Sequence, residues 1–298
     1  MEEGFSLSDA TVGIIGLGLM GGSLAMSLKG KCSRIVGFDS HQPTLELALS
    51  KNIIDHASIS LPSPFQAEGQ GMRVNILILA TPVPSILNIL QQLSTTNPQP
   101  ALSEFEGSLV IILDIGSTKR DITQAMSVLP SNFDPIGGHP ICGKEKLGLE
   151  NASADLYQNA PFVITPLERT TQHAIRITKQ LISAIGANCI EMTTEEHDQV
   201  LASTSHLPFL LSSALARSTP KEFVPFIGPG FRSTSRLAGT PPHMMMGILK
   251  SNRDNVLSAI RSFHESLSEI EFALSSEDFT KLEAILKESQ AKYQLFAK

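Results

Sequence analysis

Three groups of residues have types and spacings that could do chemistry. The first is Gly16-x-Gly18-x-x-Gly21 in "GIIGLGLMGGSLA", directly after an apolar run and at the start of a helical pattern. Glycines so placed permit a tight turn at Gly16, close approach of a diphosphate at Gly18 and close helix–strand packing at Gly21, with the anion at the positive helix end. Leu19 and Met20, between the second and third glycines, are expected to bind the cofactor with them. Asp39 ends the next apolar run, 18 residues past Gly21, where a carboxylate accepts hydrogen bonds from ribose hydroxyls and repels a 2′-phosphate. The spacing therefore predicts a dinucleotide site that favours NAD over NADP. The second group is His139 in "IGGHPICG". A histidine between two glycines and a proline is either a turn with a chance imidazole or a general base held against a ligand. The third comprises "ATPV" (80–83) and "DIGSTK" (114–119). Both follow apolar runs, so Thr81, Pro82, Ser117 and Lys119 are expected at the carboxyl ends of strands, facing the ligand crevice. Ser117 has a competing reading as a helix N-cap, and Lys119 as an exposed first-turn residue.

These groups need a scaffold, and the first half of the chain supplies its pattern. TVGIIG (11–16), RIVGFD (34–39), VNILILAT (74–81) and SLVIILDI (108–115) have strand length and are apolar throughout, as in strands buried on both faces. Helical segments follow at 20–29, 43–50, near 84–93 and at 118–128. Strands alternating with helices imply parallel βαβ units. The stretches 60–72 and 94–107 are polar, Pro/Gly-rich connections. PFVITP (161–166) is expected to be the last strand of this region, with a helix over 170–186 and a short strand at 188–192 beyond it. The rest is helical. Thr194 is the expected N-cap of a helix over 193–218 that Pro208 should kink. Val256, Ile260, Phe263, Leu267, Ile270 and Leu274 recur at four–three spacing, a seam suited to helix–helix packing within the chain or across a dimer. The expected fold is an α/β Rossmann-type N-terminal domain (1–168) followed by an all-α C-terminal domain (169–298).

Composition narrows the classes. The 298 residues are 42% hydrophobic and 17% charged, with a net charge of −6. The acidic balance and the absence of Trp argue against nucleic-acid binding. No window approaches a membrane span, and the acidic N-terminus lacks an apolar signal core. Three widely spaced cysteines suit neither a disulfide framework nor a zinc site and point to a reducing, cytoplasmic setting. No metal site is expected.

Taken in order, GLGLMGGSLA, Asp39, ATPV, the Ser117-x-Lys119 pair, GGHPICG, NAPFVITP, SHLP and GPGFRSTSRLAG resemble the prephenate/arogenate dehydrogenase family over roughly 12–275. The glycine motif is shared with many dehydrogenases; GGHP, SHLP and GFR-x-x-SR together are far more specific. The resemblance implies a Rossmann domain with a helical dimerisation domain, hence a homodimer. It implies oxidative decarboxylation of a cyclohexadienol, prephenate or arogenate, on the route to tyrosine. That reaction needs a base titrating near neutrality, an oriented NAD and cations for carboxylates, and histidine is the natural base. By resemblance His139 and Ser117 are catalytic, with Ser117 also beside the nicotinamide, and Arg236 grips a substrate carboxylate. Arg232, expected on the same helix face, either adds to that positive patch or only packs. Ser205 and His206 match the substrate-side SHLP segment, though a helix-interior histidine satisfied by the backbone is an equal alternative. The histidines at 41, 56, 173, 197, 243 and 264 fall in surface or cap patterns.

Three departures from the prephenate-preferring pattern shift the expectation towards arogenate or dual use. Phe209 stands where SHLPH has its second histidine, Met245 where a tryptophan is common, and Ser233 where an acid is frequent. Rival readings are a β-hydroxyacid-dehydrogenase-like enzyme and a non-catalytic NAD-binding sensor. The first would use a lysine on the helix over 195–217, which has none. The second would not need His139, Ser117 and Arg236 together.

Overall fold

Apolar runs with large side chains on both faces can be buried only in a sheet covered on both sides, and the first unit is built around such a sheet. The computed structural model describes residues 5–59, 74–95, 109–144 and 146–296; the expected connection 60–72, and all but the first two residues of that expected at 94–107, lie outside them. The strands are β1 (Thr11–Ile15), β2 (Arg34–Phe38), β3 (His56–Ser58), β4 (Ile76–Leu79), β5 (Val110–Asp114), β6 (Phe133–Pro140), β7 (Pro161–Pro166) and β8 (Asn188–Glu191). They lie in the order β3-β2-β1-β4-β5-β6-β7-β8. β1 to β6 are mutually parallel, β7 runs antiparallel to β6, and β8 is parallel to β7. The chain works outward from β1 to β3, then crosses back to lay β4 on the other side of β1. That reversal opens a crevice at the carboxyl ends of β1 and β4.

Helices α1 (Leu19–Leu28), α2 (Gln42–Ser50), α3 (Val83–Thr95), α4 (Arg120–Ser127) and α5 (Gln172–Ala184) cover the sheet. Period-two alternation sorts the strand side chains. Ile76 and Ile78 pack with Leu24 of α1 and Ile177 of α5, whereas Leu77 and Leu79 pack with Ile86 of α3 and Ile122 of α4. The loop between β6 and β7 is pinned to α1: Leu149 lies against Gly22, and the buried Tyr157 hydroxyl donates to Met20 O at 2.7 Å.

Two strands were not expected, β3 and the one that carries His139. FDPIGGHP holds two prolines and two glycines, which normally punctuate turns, yet it forms the eight-residue strand β6 between β5 and β7. The glycines belong there because the neighbours crowd in. A Cβ on Gly137 would lie 2.1 Å from Thr165 Oγ1, and one on Gly138 would lie 2.8 Å from Asp114 O.

The boundary expected at 168/169 is displaced. The first compact unit runs to Leu201 and includes Gly239–Asn252. The reason is pairing: NCIE extends the sheet as β8 through its register with β7, and α5 contributes Ile177, Leu181 and Ile182 to the sheet core. Two further helices belong to this unit, α6 (Thr194–Leu201) and, numbered in chain order, α9 (Pro242–Ser251). α6 is capped one residue earlier than expected. Thr193 Oγ1 accepts from Glu196 N at 3.2 Å, and Glu196 Oε2 accepts from Thr193 N at 2.9 Å, a reciprocal capping box.

The second unit, Ala202–Ala238 with Arg253–Lys298, is helical. It contains α7 (Leu207–Ser218), α8 (Pro229–Ser235), α10 (Arg253–Ser275) and α11 (Phe279–Phe296). The break expected at Pro208 takes the form of a π-helical stretch, Ala202–His206, with Pro208 in the first turn of α7, where its missing N–H costs little. On α10 only the start of the expected seam is covered: Val256 is buried, while Leu267 and Leu274 are about half exposed.

Candidate active site

The glycine loop joins β1 to α1. Gly16 has φ +92°, and a Cβ on Gly21 would lie 1.9 Å from Gly16 O, so neither position tolerates a side chain. Gly18 differs: beyond its chain neighbours, no atom of the described residues lies within 4 Å of its would-be Cβ. It is the N-cap of α1 and offers no side-chain bond to the first amides of the helix. This is open space at a helix N-terminus, which suits a diphosphate. Leu19 begins α1 as a buried residue, and Met20 follows, half-buried. Asp39 follows β2 with its carboxylate turned to the loop; Oδ2 accepts from Leu17 N at 2.8 Å and Oδ1 from His41 N at 2.9 Å. Each oxygen keeps a second lone pair for a hydroxyl. At the end of β4, Thr81 Oγ1 is buried without a hydrogen-bond partner among the described residues, and Pro82 beside it is exposed. An orphaned hydroxyl, a glycine cradle and an acid at the end of β2 fit a dinucleotide.

Ser117 lies in the loop after β5, half-buried. Lys119, not Ser117, is the N-cap residue of α4, so the capping role considered for Ser117 does not apply. His139 sits near the carboxyl end of β6, one strand over from that loop. Its Nδ1 is 2.9 Å from Nε2 of His197, with the two rings edge to face. His197 Nδ1 is in turn 2.8 Å from Asp198 Oδ1. Asp198 also accepts from the amides of Lys119 (2.7 Å) and Arg120 (3.0 Å). Burial opposes charge on Asp198, but the His197 ring and those amides hold its carboxyl below the usual range. His197, expected at a surface or cap position, is instead wholly buried.

Lys119 is also wholly buried, which corrects its reading as an exposed or crevice-lining residue. Its ammonium pairs with Asp114 at the end of β5 and donates to Gly138 O at 2.6 Å, next to His139. Burial drives the Asp114 carboxyl up and the Lys119 ammonium down, and each partner pulls the other back. Two amides, Gly116 N (2.8 Å) and Gly138 N (3.2 Å), complete the Asp114 shell.

The remaining candidates belong to the second unit. His206 is buried at the end of the π-helical stretch, and Ser205 beside it is exposed. Arg232 lies in the last turn of α8. Arg236 is its C-cap, where the helix tightens into a 3-10 turn, so the two arginines do not share one regular helix. Both are exposed.

Sequence reasoning missed His197, Asp198 and Asp114. The Thr193-x-x-Glu196 box marks the helix start and could have placed His197 and Asp198 in its first turns. Nothing in TEEHDQ has the apolar periodicity that would announce a buried face.

Known proteins resemble this chain along both of its halves. The profile described as "Prephenate dehydrogenase, nucleotide-binding domain" matches residues 24–191, and that described as "Prephenate dehydrogenase, dimerization domain" matches 193–288. A prephenate dehydrogenase of Bacillus subtilis is 32% identical over 91% of this chain and 72% of its own length. The crystal structure of Aquifex aeolicus prephenate dehydrogenase with hydroxyphenyl propionate and NAD+ is similar at TM-score 0.84 and 29% identity, over 98% of this chain and 100% of that one. Synechocystis arogenate dehydrogenase is similar at TM-score 0.77 and 27% identity, over 96% and 99%. With both halves matched in order and the Bacillus relative alike along most of its length, the chain belongs to the prephenate dehydrogenase family.

Proposed function

We propose that this chain oxidises and decarboxylates prephenate or L-arogenate, giving 4-hydroxyphenylpyruvate or L-tyrosine. The observation that carries the reading is the position of His139, at the same sheet edge as the glycine loop, Asp39 and Ser117. NAD+, when bound, accepts the hydride released from ring carbon C4. Gly16, Gly18, Leu19, Met20 and Gly21 would hold its diphosphate, Asp39 its ribose, and Thr81, Pro82 and Ser117 its nicotinamide side. Asp39 would repel the extra phosphate of NADP.

His139 takes the proton of the C4 hydroxyl, and the oxygen lone pair becomes a carbonyl as hydride departs. The C1–carboxylate bond then breaks; its electron pair enters the ring, CO2 leaves, and the phenolate oxygen that results takes its proton back from His139 to give the aromatic phenol. Ser117 hydrogen-bonds the reacting hydroxyl or His139. Arg236 grips a substrate carboxylate, which a planar guanidinium does bidentately, with Arg232, Ser205 and His206 as further substrate-binding residues. Phe209, Met245 and Ser233 favour arogenate or both substrates. The second unit is the dimerisation domain of a homodimer, supported by the open apolar side chains along α10. Three free cysteines suit a reducing cytoplasm. Among the described residues no helix is long and apolar enough to cross a membrane.

The test follows NADH absorbance with prephenate and with arogenate, each with NAD+ and NADP+, for the parent and His139→Asn. The parent should turn over at least one substrate, and the variant should lose about 10²–10⁴-fold in kcat. Equal rates would remove His139 from the chemistry. No turnover of either substrate would favour a nucleotide-binding sensor.

A further inference from the structure

The three-residue chain His139–His197–Asp198 constrains where protons sit. Asp198 accepts from two backbone amides, which can only donate, so its carboxylate also accepts from the third contact, His197 Nδ1. With Nδ1 carrying the proton, Nε2 of a neutral His197 bears a lone pair. The 2.9 Å contact then requires His139 to donate from Nδ1. The lone pair of His139 therefore resides on Nε2.

We propose that His197, oriented by Asp198, is the positioning residue that makes Nε2 the basic nitrogen of His139 and receives the His139 Nδ1 proton during turnover. This rests on the reading of His139 as the base. The proton count balances. The substrate hydroxyl proton goes to His139 Nε2, and the Nδ1 proton of His139 passes to His197 Nε2. The products of that step are a neutral His139 of the opposite tautomer and an imidazolium at His197 paired with the Asp198 carboxylate. The positive charge thus moves from the half-buried His139 to a buried site with a counter-charge beside it. The Lys119 ammonium is held by Asp114, the Arg120 guanidinium reaches Ser251 O and Asp121, and Glu196 caps α6. Asp198 is held further through its backbone carbonyl, which accepts from Asn252 Nδ2 at 2.6 Å.

Two readouts test the proposal. In the unliganded full-length protein labelled with ¹⁵N-histidine, at a pH where both rings are neutral, His139 and His197 should each carry the proton on Nδ1; His139→Asn and His197→Gln variants assign the signals. A His139 protonated on Nε2 overturns the proposal, whether or not the protein has dehydrogenase activity, so this failure is separate from failure of the proposed function. In kinetics, His197→Gln keeps an acceptor near His139 Nδ1 but cannot take a proton. Its kcat should fall on the order of 10²-fold, with KM for both ligands little changed, and the acid limb of its pH–rate profile should move to lower pH. Asp198→Asn should move the limb the same way. An unmoved limb with only a smaller kcat would reduce His197 to packing and sink the relay.

Discussion

The buried pair Asp114–Lys119 offers the sharpest energetic test of how β6, the strand of His139, is held. Neither side chain has any exposed surface. Asp114 binds the ammonium and two amides, and Lys119 binds the carboxylate and Gly138 O, the carbonyl just before His139. Lys119→Met keeps the stem but leaves a carboxylate in a water-free site, and Asp114→Asn leaves the ammonium there. Each should cost about 3–5 kcal/mol, the penalty of an uncompensated buried charge. The double variant buries no charge. It loses only the amide left without an acceptor at position 114 and the donor to Gly138, about 1–3 kcal/mol each. Independent effects would instead sum to about 6–10 kcal/mol. Urea unfolding followed by far-ultraviolet circular dichroism, at one fixed protein concentration, gives the three differences by linear extrapolation. A double variant that costs clearly less than the two single costs added together, about 2–6 kcal/mol, is the expected outcome. Additive costs would refute the reasoning and mean that the two side chains are held by separate features.

Two predictions concern the nucleotide loop. Gly18→Ala meets no described residue beyond its chain neighbours, so it should cost no more than the N-cap penalty of alanine, up to about 1 kcal/mol of stability, while its affinity for NADH, read by fluorescence titration, should fall. Gly21→Ala, 1.9 Å from a carbonyl, should lose both stability and binding; unchanged binding in either would place the diphosphate elsewhere. Asp39→Ser removes the charge expected to repel a 2′-phosphate and a ribose acceptor. The ratio of kcat/KM for NAD+ over NADP+ should drop at least tenfold, about 1.4 kcal/mol, and an unchanged ratio would detach Asp39 from the ribose.

Local patterning made much of this chain legible. Continuous apolar runs marked β1, β2, β4 and β5 to within a few residues, because strands buried on both faces have no polar face to confuse the pattern. PFVITP coincides with β7. The glycine spacing announced the tight turn between β1 and α1, because Gly16 and Gly21 answer backbone demands that are local in sequence. His139 was singled out by its glycine and proline neighbours, but the same neighbours hid the strand it lies on. Only the packing of Gly137 against Thr165 and of Gly138 against Asp114 makes a strand of that segment.

Sequence by itself determined the alternating α/β plan, the dinucleotide motif and the identity of the histidine that could act as a base, since these depend on residues a few positions apart. Tertiary structure decided the environment of that histidine. His197 and Asp198 lie 58 and 59 positions beyond His139, Asp114 lies 25 before it, and no periodicity joins them. Charges and ring nitrogens become partners only when the sheet brings their strands and helices together and excludes water. Burial and hydrogen-bond direction, which settle protonation, are therefore properties of the folded chain and not of any segment of it.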